Sequence, residues 1–295
     1  MSNSLSVVVV GAGNMGGAML ARLRELAWSV GVHDTDVQAQ AKAVAEGALS
    51  FASPVQAVRS LAPDGVMLIA VVDAAQTEAV LWGADGAGFD LKPGQTVMLC
   101  PTLGPKTVQD QAERLAQRGV DCIDAPMSGG PLRARQGSMS LMVACSEPVW
   151  QRSQNLLQAL SQQVFRVGVR AGDGARTKLV NNLLAAVNLA GAAEALALAE
   201  RLGLDPAVTM SVIEASSGQS WIGTDRMRRA LAGDFEPRAH VSLLAKDTGL
   251  AVSAADEVAY DPPLGRLARD LFAQAMAQGW DQLDDAALIQ LMRQR

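Results

Sequence analysis

A glycine-rich turn between a strand-like run and a helical pattern constrains the fold of this chain more than any other feature. Residues 5–10 read LSVVVV, a β-branched run that predicts a strand buried on both faces, as in a parallel sheet. The next residues read GAGNMG, and a helical pattern begins within them, near Met15. In that context the G-x-G-x-x-G spacing predicts a tight turn, close approach of a pyrophosphate to the backbone, and close packing of helix on strand.

The turn therefore predicts a dinucleotide site, with the phosphates on the free N–H groups at the start of the first helix. The alternative is a turn of the same spacing that binds no ligand. The residues expected to contact the cofactor here are Gly11, Gly13, Asn14, Met15 and Gly16.

An acidic residue at the end of the second predicted strand indicates which cofactor is preferred. Asp34 lies where it can accept both ribose hydroxyls of NAD, and its charge would repel the 2′-phosphate of NADP. Asp36 adds negative charge, and the next basic residue is Lys42. NAD is thus the predicted cofactor, with NADP less favoured. Alternatively, Asp34 caps the next helix, a role that Asp36 could also fill.

Strands and helices alternate in the first part of the chain, whereas only helical patterns follow. The alternation predicts right-handed βαβ units and a doubly wound, Rossmann-type α/β domain over residues 1–165. Residues 166–295 are predicted to form an all-α domain, and the Ala-rich pattern at 174–202 is expected to be a long interdomain helix. The other helical patterns lie at 206–216, 240–255, 264–278 and 283–293.

Composition argues against several other classes of protein. A chain that is 49% apolar with a net charge of −5 is not typical of disorder, and the acidic balance and 4% aromatic content do not favour nucleic acid. The most apolar stretch, 183–199, is interrupted by Asn188 and Glu194, which favours a buried helix over a membrane span. Three widely spaced cysteines and an N-terminus without a basic n-region suggest a cytoplasmic protein with no metal site.

Two later segments carry groups suited to a small hydroxy acid. In DAPMSGG, Ser128 precedes Gly129 and Gly130, and such a turn can expose N–H groups that hold a carboxylate. Taken alone, this pattern is more often a simple turn. Further on, Lys178 is followed by Asn181 and Asn182, which lie three and four residues later on the same helix face.

A lysine and amides on one face can hold a hydroxyl and move its proton, and burial would lower the pKa of such a lysine. The alternative is a surface lysine in a solvated polar stripe. A second lysine, Lys246, precedes Asp247 in an apolar helical stretch, where a structural ion pair is the simplest interpretation.

Together these four segments resemble the β-hydroxyacid dehydrogenase family, which includes 3-hydroxyisobutyrate dehydrogenase, tartronate semialdehyde reductase and, more distantly, 6-phosphogluconate dehydrogenase. The similarity spans nearly the whole chain. GAGNMG is similar to the family's G-x-G-x-M-G, and DAPMSGG to its D-A-P-V-S-G-G substrate loop. Lys178 begins a K-x-x-N-N match, whose lysine is the family's acid/base, and Lys246 begins a match to the K-D pair beside the nicotinamide. Thr102 lies where the family has a cofactor-binding threonine.

The resemblance implies hydride transfer between NAD and a small 3-hydroxy acid. Ser128 and the N–H groups of Gly129 and Gly130 would bind the carboxylate. Lys178 and the asparagines, above all Asn182, would hold the hydroxyl, and Lys178 would take its proton while the hydride leaves the same carbon. The family also implies a homodimer or homotetramer.

Departures from the family pattern refine this picture. Asp34-Thr35-Asp36 replaces Asn-Arg-Thr, whose arginine binds an NADP phosphate, so NAD is again favoured. Val71-Val72 replaces Leu-Pro, and Gln76 follows in an AAQT stretch that, with Trp221, is most similar to the L-threonate dehydrogenase branch. Both valines and Gln76 are expected at the cofactor, and Trp221 at the substrate. Cys100-Pro101 precedes Thr102 in place of a serine, which leaves the local cofactor contacts less defined.

Other functions are also compatible with these residues. Tartronate semialdehyde reductases and imine reductases share the fold, but imine reductases typically replace the lysine that this chain has at position 178. Non-enzymatic binding modules also usually lose it. A phosphorylated sugar acid would need basic residues, which Arg133 and Arg135 could supply.

Overall fold

The computed structural model describes residues 5–295, and the chain divides into two compact units. The first ends at Lys178 and the second is Leu179–Arg295. The boundary predicted after residue 165 falls inside the last strand of the sheet, Gln163–Gly168. Because that strand is hydrogen-bonded to its neighbour along its length, both sides of the predicted boundary belong to the sheet.

One mixed sheet forms the centre of the first unit. Its order is β3-β2-β1-β4-β5-β6-β8-β7, with β9 beside β8, and the pairs are parallel from β3 through β6. The strands of the described residues are β1 (Leu5–Val10), β2 (Val30–His33), β3 (Leu49–Ser50), β4 (Leu61–Ile69), β5 (Thr96–Leu99), β6 (Asp121–Asp124), β7 (Met127–Ser128), β8 (Ser140–Ala144) and β9 (Gln163–Gly168).

The strand order confirms the predicted doubly wound domain and locates its switch point. Strand order reverses between β1 and β4, and ligands of such sheets bind at the carboxyl ends of the strands near that point. The helices of this unit are α1 (Asn14–Glu25), α2 (Val37–Ala45), α3 (Pro54–Arg59), α4 (Ala74–Trp82), α5 (Pro105–Ala116), α6 (Gly130–Arg135) and α7 (Glu147–Leu160).

Strand β1 is buried on both faces, as its sequence predicts. Val7 and Val9 pack into one hydrophobic cluster, with Leu20 of α1, while Val8 and Val10 pack into another. Since successive side chains of a strand point to opposite faces, each face of the sheet has its own core.

The second unit is helical, which confirms the predicted all-α domain. Its residues, all of them described, contain no strand beyond one isolated bridge between His240 and Asp284. Its elements, with the helix that leads into it, are α8 (Asp173–Arg201), α9 (Pro206–Glu214), α10 (Trp221–Leu231), α11 (Val241–Glu257), α12 (Pro263–Ala277), a 3₁₀ turn (Asp285–Ala287) and α13 (Leu288–Arg293).

Helix α10 is missing from the sequence-based prediction. Ser220 caps it by accepting a hydrogen bond from the Gly223 backbone N–H. Three arginines and a glycine interrupt its apolar periodicity, and one of them, Arg229, is buried in ion pairs rather than exposed. The signal present in the sequence was therefore the serine cap rather than a hydrophobic pattern.

Helix α8 runs from the first unit into the second, as the predicted interdomain helix does. By length and composition alone it could cross a membrane, and 44% of its most apolar stretch is buried within the structure. One such helix is weak evidence for a membrane span, because core helices of soluble proteins pass the same test.

Candidate active site

The glycine turn after β1 is shaped for a phosphate. Gly11 has φ +89°, and a Cβ there would lie 2.8 Å from the Ala70 carbonyl oxygen, while a Cβ on Gly16 would overlap the carbonyl of Gly11. A Cβ on Gly13, in contrast, would meet nothing within 4 Å. Gly13 is also the N-cap of α1, where no side chain caps the first turn. The protein itself thus requires glycine at two positions, and open space at the third allows a phosphate to approach the helix N-terminus.

Asp34 is fixed beside this turn. Its Oδ2 accepts a hydrogen bond from the Ala12 N–H at 2.5 Å, and its Oδ1 accepts one from the Asp36 N–H at 2.8 Å. Asp36, rather than Asp34, caps α2, since its carboxylate accepts the Gln38 N–H. Asp36, and not Asp34, therefore fills the capping role that the sequence allowed for either residue. Asp34 stands at the end of β2, where a ribose would bind.

The segments after β4 and β5 provide further cofactor candidates. Val71 lies close to the turn, with its Cγ1 3.1 Å from the position of a Cβ on Gly11. The Gln76 Oε1 accepts the Val72 N–H at 2.9 Å, so this side chain shapes the loop after β4. Thr102 follows β5 and is half-buried. All four residues lie beyond the carboxyl ends of β4 and β5, on one side of the switch point.

The DAPMSGG segment contains β7, and its two glycines form a sharp turn from β7 into α6. Gly129 and Gly130 have φ of +130° and +75°, which favour glycine. A Cβ on Gly130 would meet nothing within 4 Å, and Ser128 is half-buried just before it. The turn therefore exposes backbone in the way that an anion cradle requires.

The two arginines after this turn are already paired. Arg133 donates to the Ser138 carbonyl oxygen at 2.7 and 3.0 Å, and Arg135 pairs with Glu25 and Glu46 at 2.9 and 2.8 Å. These contacts disfavour the hypothesis that the arginines bind a substrate phosphate.

Lys178 on α8 is buried, with only 7% of its surface exposed. Asn182 is 8% exposed, whereas Asn181 is on the surface. A solvated polar stripe would expose the lysine, so the structure does not support that alternative. Buried charged side chains need partners or a function.

Asn182 belongs to a hydrogen-bonded chain in the second unit. The Asn182 Nδ2 donates to Asp247 Oδ2 at 2.6 Å, and its Oδ1 accepts from Asn181 Nδ2 at 3.0 Å. The Lys246 Nζ lies 3.1 Å from Asp247 Oδ1, close enough for an ion pair but outside hydrogen-bond geometry. Asp247 is therefore more than the structural partner of Lys246, because it also orients the amide of Asn182.

Trp221 is the first residue of α10 and is 51% exposed. It lies in the second unit with Asn181, Asn182 and Lys246, whereas Lys178 and the residues before it belong to the first. In the described part of the chain, no group of three or more His, Cys, Asp or Glu side chains is arranged to hold a metal ion.

Comparison with known proteins finds similarity over nearly the whole chain. The family model described as the NAD binding domain of 6-phosphogluconate dehydrogenase matches residues 6–168. A second, described as NAD-binding of NADP-dependent 3-hydroxyisobutyrate dehydrogenase, matches residues 172–292.

Individual proteins are similar to the same extent. L-threonate dehydrogenase of Cupriavidus necator is 34% identical, over 98% of this chain and 96% of its own. A crystal structure of 3-hydroxyisobutyrate dehydrogenase from Salmonella typhimurium is 35% identical with a TM-score of 0.90, over 97% of this chain and 99% of its own. The structure of Psf3 in complex with NADP+ and 2-OPP is 25% identical with a TM-score of 0.89, over 97% and 99%.

Proposed function

Because the chain belongs to the β-hydroxyacid dehydrogenase family, we propose that it oxidises a small 3-hydroxy acid with NAD and that L-threonate is the first substrate to test. The observation that carries this proposal is the burial of Lys178, at the position of the family's acid/base. The chain is a hydride-transfer oxidoreductase that binds a nicotinamide dinucleotide.

The residues present fit a dinucleotide. The open space at Gly13 and the uncapped start of α1 suit the pyrophosphate, and Asp34 suits the adenosine ribose. A carboxylate accepts hydrogen bonds from both ribose hydroxyls, but it repels the phosphate that NADP carries there. This charge supports NAD. Because one similar structure contains NADP+, the assay below compares the two cofactors.

The substrate proposal combines the similarity to L-threonate dehydrogenases with the AAQT and Ser220-Trp221 segments. L-threonate carries a carboxylate and a hydroxyl on C3, the two groups that a dehydrogenase of 3-hydroxy acids acts on. Ser128 and the N–H groups of Gly129 and Gly130 bind the carboxylate. Trp221, half-exposed at the start of α10, is the candidate contact for the rest of the substrate.

When bound, the nicotinamide supplies a hydride acceptor at C4. Asn182, oriented by Asp247, holds the substrate hydroxyl. Lys178 takes the hydroxyl proton, so that the C–O bond becomes a carbonyl as the carbon loses its hydride. In the direction of reduction, Lys178 returns that proton. A reductase of tartronate semialdehyde would use the same groups, whereas an imine reductase would not need the lysine.

The test is a rate measurement over a panel of acids, with NAD and NADP in separate reactions. The panel contains L-threonate, 3-hydroxyisobutyrate, glycerate and serine, with 2-hydroxybutyrate as an acid that has no 3-hydroxyl. We expect NAD reduction with at least one 3-hydroxy acid and none with 2-hydroxybutyrate. Reduction of a cyclic imine without oxidation of any acid would favour the imine reductase alternative.

We also propose that the chain associates with a second copy of itself through α8. Val180, Leu184 and Leu198 are 70%, 60% and 58% exposed, and their spacing places them on one helix face. Soluble monomers seldom expose several large apolar side chains along one helix face. Sedimentation should show a dimer or tetramer for the wild type and a smaller species for Leu184→Asp. A wild-type monomer at micromolar concentration, or recovery of the protein with membranes, would contradict this proposal.

A further inference from the structure

A buried carboxylate in the first unit holds the start of the helix that carries Lys178. Asp124 ends β6 and is 1% exposed. Its Oδ2 accepts hydrogen bonds from the N–H groups of Gly172 at 2.8 Å and Ala175 at 3.1 Å, and the Gly174 N–H also bonds to the carboxylate. Three donors at the start of α8 thus converge on one side chain.

Two glycines allow this close contact. Gly172 has φ +97°, which an L side chain rarely adopts. A Cβ on Gly174 would lie 2.7 Å from the Met142 carbonyl oxygen and 2.8 Å from Asp124 Oδ1. The first turn of α8 is therefore packed against the end of β6 and the middle of β8, and a single added methyl group would displace it.

Lys178 lies one helical turn beyond this contact. It follows Gly174 by four residues and Ala175 by three, so it lies on the same face of α8 as these two of the residues that bond to Asp124. Within one hydrogen-bonded turn, a helix behaves as a rigid body. A displacement of the first turn therefore moves the backbone of Lys178 by a similar distance.

We propose that Asp124 is a positioning residue for Lys178: by holding the first turn of α8, it fixes the backbone from which the lysine extends. The inference rests on the proposed acid/base role of Lys178. Asp124 contacts neither substrate nor cofactor in this scheme. Its effect on turnover passes through the lysine.

The electrostatics of Asp124 support a role beyond stability. Burial raises the pKa of Asp124 to about 6, and the neighbouring Asp173 adds to the rise, while the three backbone hydrogen bonds lower it. At neutral pH Asp124 is ionised, and the burial of that charge lowers the free energy of unfolding. An apolar residue would avoid that penalty, but it could not accept hydrogen bonds from the three N–H groups.

The experiment is a double-mutant cycle on kcat with L-threonate, or with the best acid of the panel. Asp124→Asn offers one acceptor atom where the carboxylate offers two. We expect it to lower kcat by roughly 10- to 100-fold, the effect of a small misplacement of a catalytic group, with the Kd for NAD within threefold of wild type. In a Lys178→Ala background, the same change should alter kcat by less than about twofold, because the lysine it positions is gone.

Gly174→Ala tests the same contact independently of the charge, and we expect a similar loss of kcat. Gly191→Ala is the matched control on the same helix, since a Cβ there meets nothing within 4 Å in one protomer. Because Gly191 lies on the face proposed for association, sedimentation checks that this control keeps the wild-type oligomeric state. Equal losses from Asp124→Asn with and without Lys178 would overturn the inference, as would unchanged kcat in the folded Asp124→Asn or Gly174→Ala variant. Wild-type turnover by Lys178→Ala alone would instead refute the proposed function, which separates the two failures.

Discussion

Replacing Gly13 by alanine should separate cofactor binding from folding. Gly13 has φ −63° and ψ −160°, which alanine can adopt, and the added Cβ would meet nothing within 4 Å. Gly16→Ala is the contrasting variant, because its Cβ would overlap the Gly11 carbonyl oxygen. The two glycines belong to the same motif, but only one of them is required by the protein's own packing.

The size of each effect follows from these contacts. At an N-cap, glycine and alanine differ by about 1 kcal/mol or less, so Gly13→Ala should leave the free energy of unfolding nearly unchanged. The methyl group would occupy the space over the turn and displace the pyrophosphate from the N–H groups of α1. Loss of one charge-assisted hydrogen bond is worth about 1.5–3 kcal/mol, which corresponds to roughly a 10- to 150-fold rise in the Kd for NAD.

Calorimetric titration with NAD measures the affinity, and urea unfolding measures the stability of each variant. Gly16→Ala should lose about 1–3 kcal/mol or more, because overpacking forces α1 away from β1. An unchanged Kd for NAD in folded Gly13→Ala would refute the argument that the open space at Gly13 holds the pyrophosphate.

Three further outcomes are expected. Asp34→Asn should raise the ratio of kcat/KM with NADP to that with NAD by at least about tenfold, because it removes the charge that repels the 2′-phosphate. Asp247→Ala should lower both stability, by about 1–3 kcal/mol, and kcat/KM, because it leaves the buried amide of Asn182 without its acceptor; exposed Asp256→Ala on the same helix is the control. Because burial raises the pKa of Asp124 to about 6 from an ordinary 3.8, its contribution to stability is present below pH 3.8 and lost as pH rises through 6. Between pH 4 and pH 7, the wild type should therefore lose up to about 3 kcal/mol more unfolding free energy than Asp124→Asn does, measured by urea unfolding.

Sequence patterns predicted those parts of the fold and of the site in which the interacting residues are close together in the sequence. The run at β1 and its glycine turn specify a strand, a turn and a helix within a few residues, and all three are present. The spacing of Lys178 and Asn182 likewise follows from one helix. The sequence did not identify the cap of α2, because Asp34 and Asp36 are both suitable; in the structure Asp36 caps the helix.

Contacts between distant segments were beyond sequence reasoning. Asn182 and Asp247 are 65 residues apart, and Asp124 and Gly172 are 48 apart. In each case nothing in the neighbouring sequence distinguishes the aspartate, because the N–H groups that donate to it belong to a distant element. The prediction lacked helix α10 for a related reason, because the acids that pair with Arg226 and Arg229, which are Asp285 and Asp284, lie at the turn before α13.

The most direct test of the central claim is the turnover of Lys178→Ala alongside its affinity for NAD. The account predicts a loss of most of kcat with the wild type's preferred 3-hydroxy acid, and a Kd for NAD within a few-fold of the wild type. Near-normal kcat in this variant would contradict the claim that Lys178 is the acid/base of the reaction.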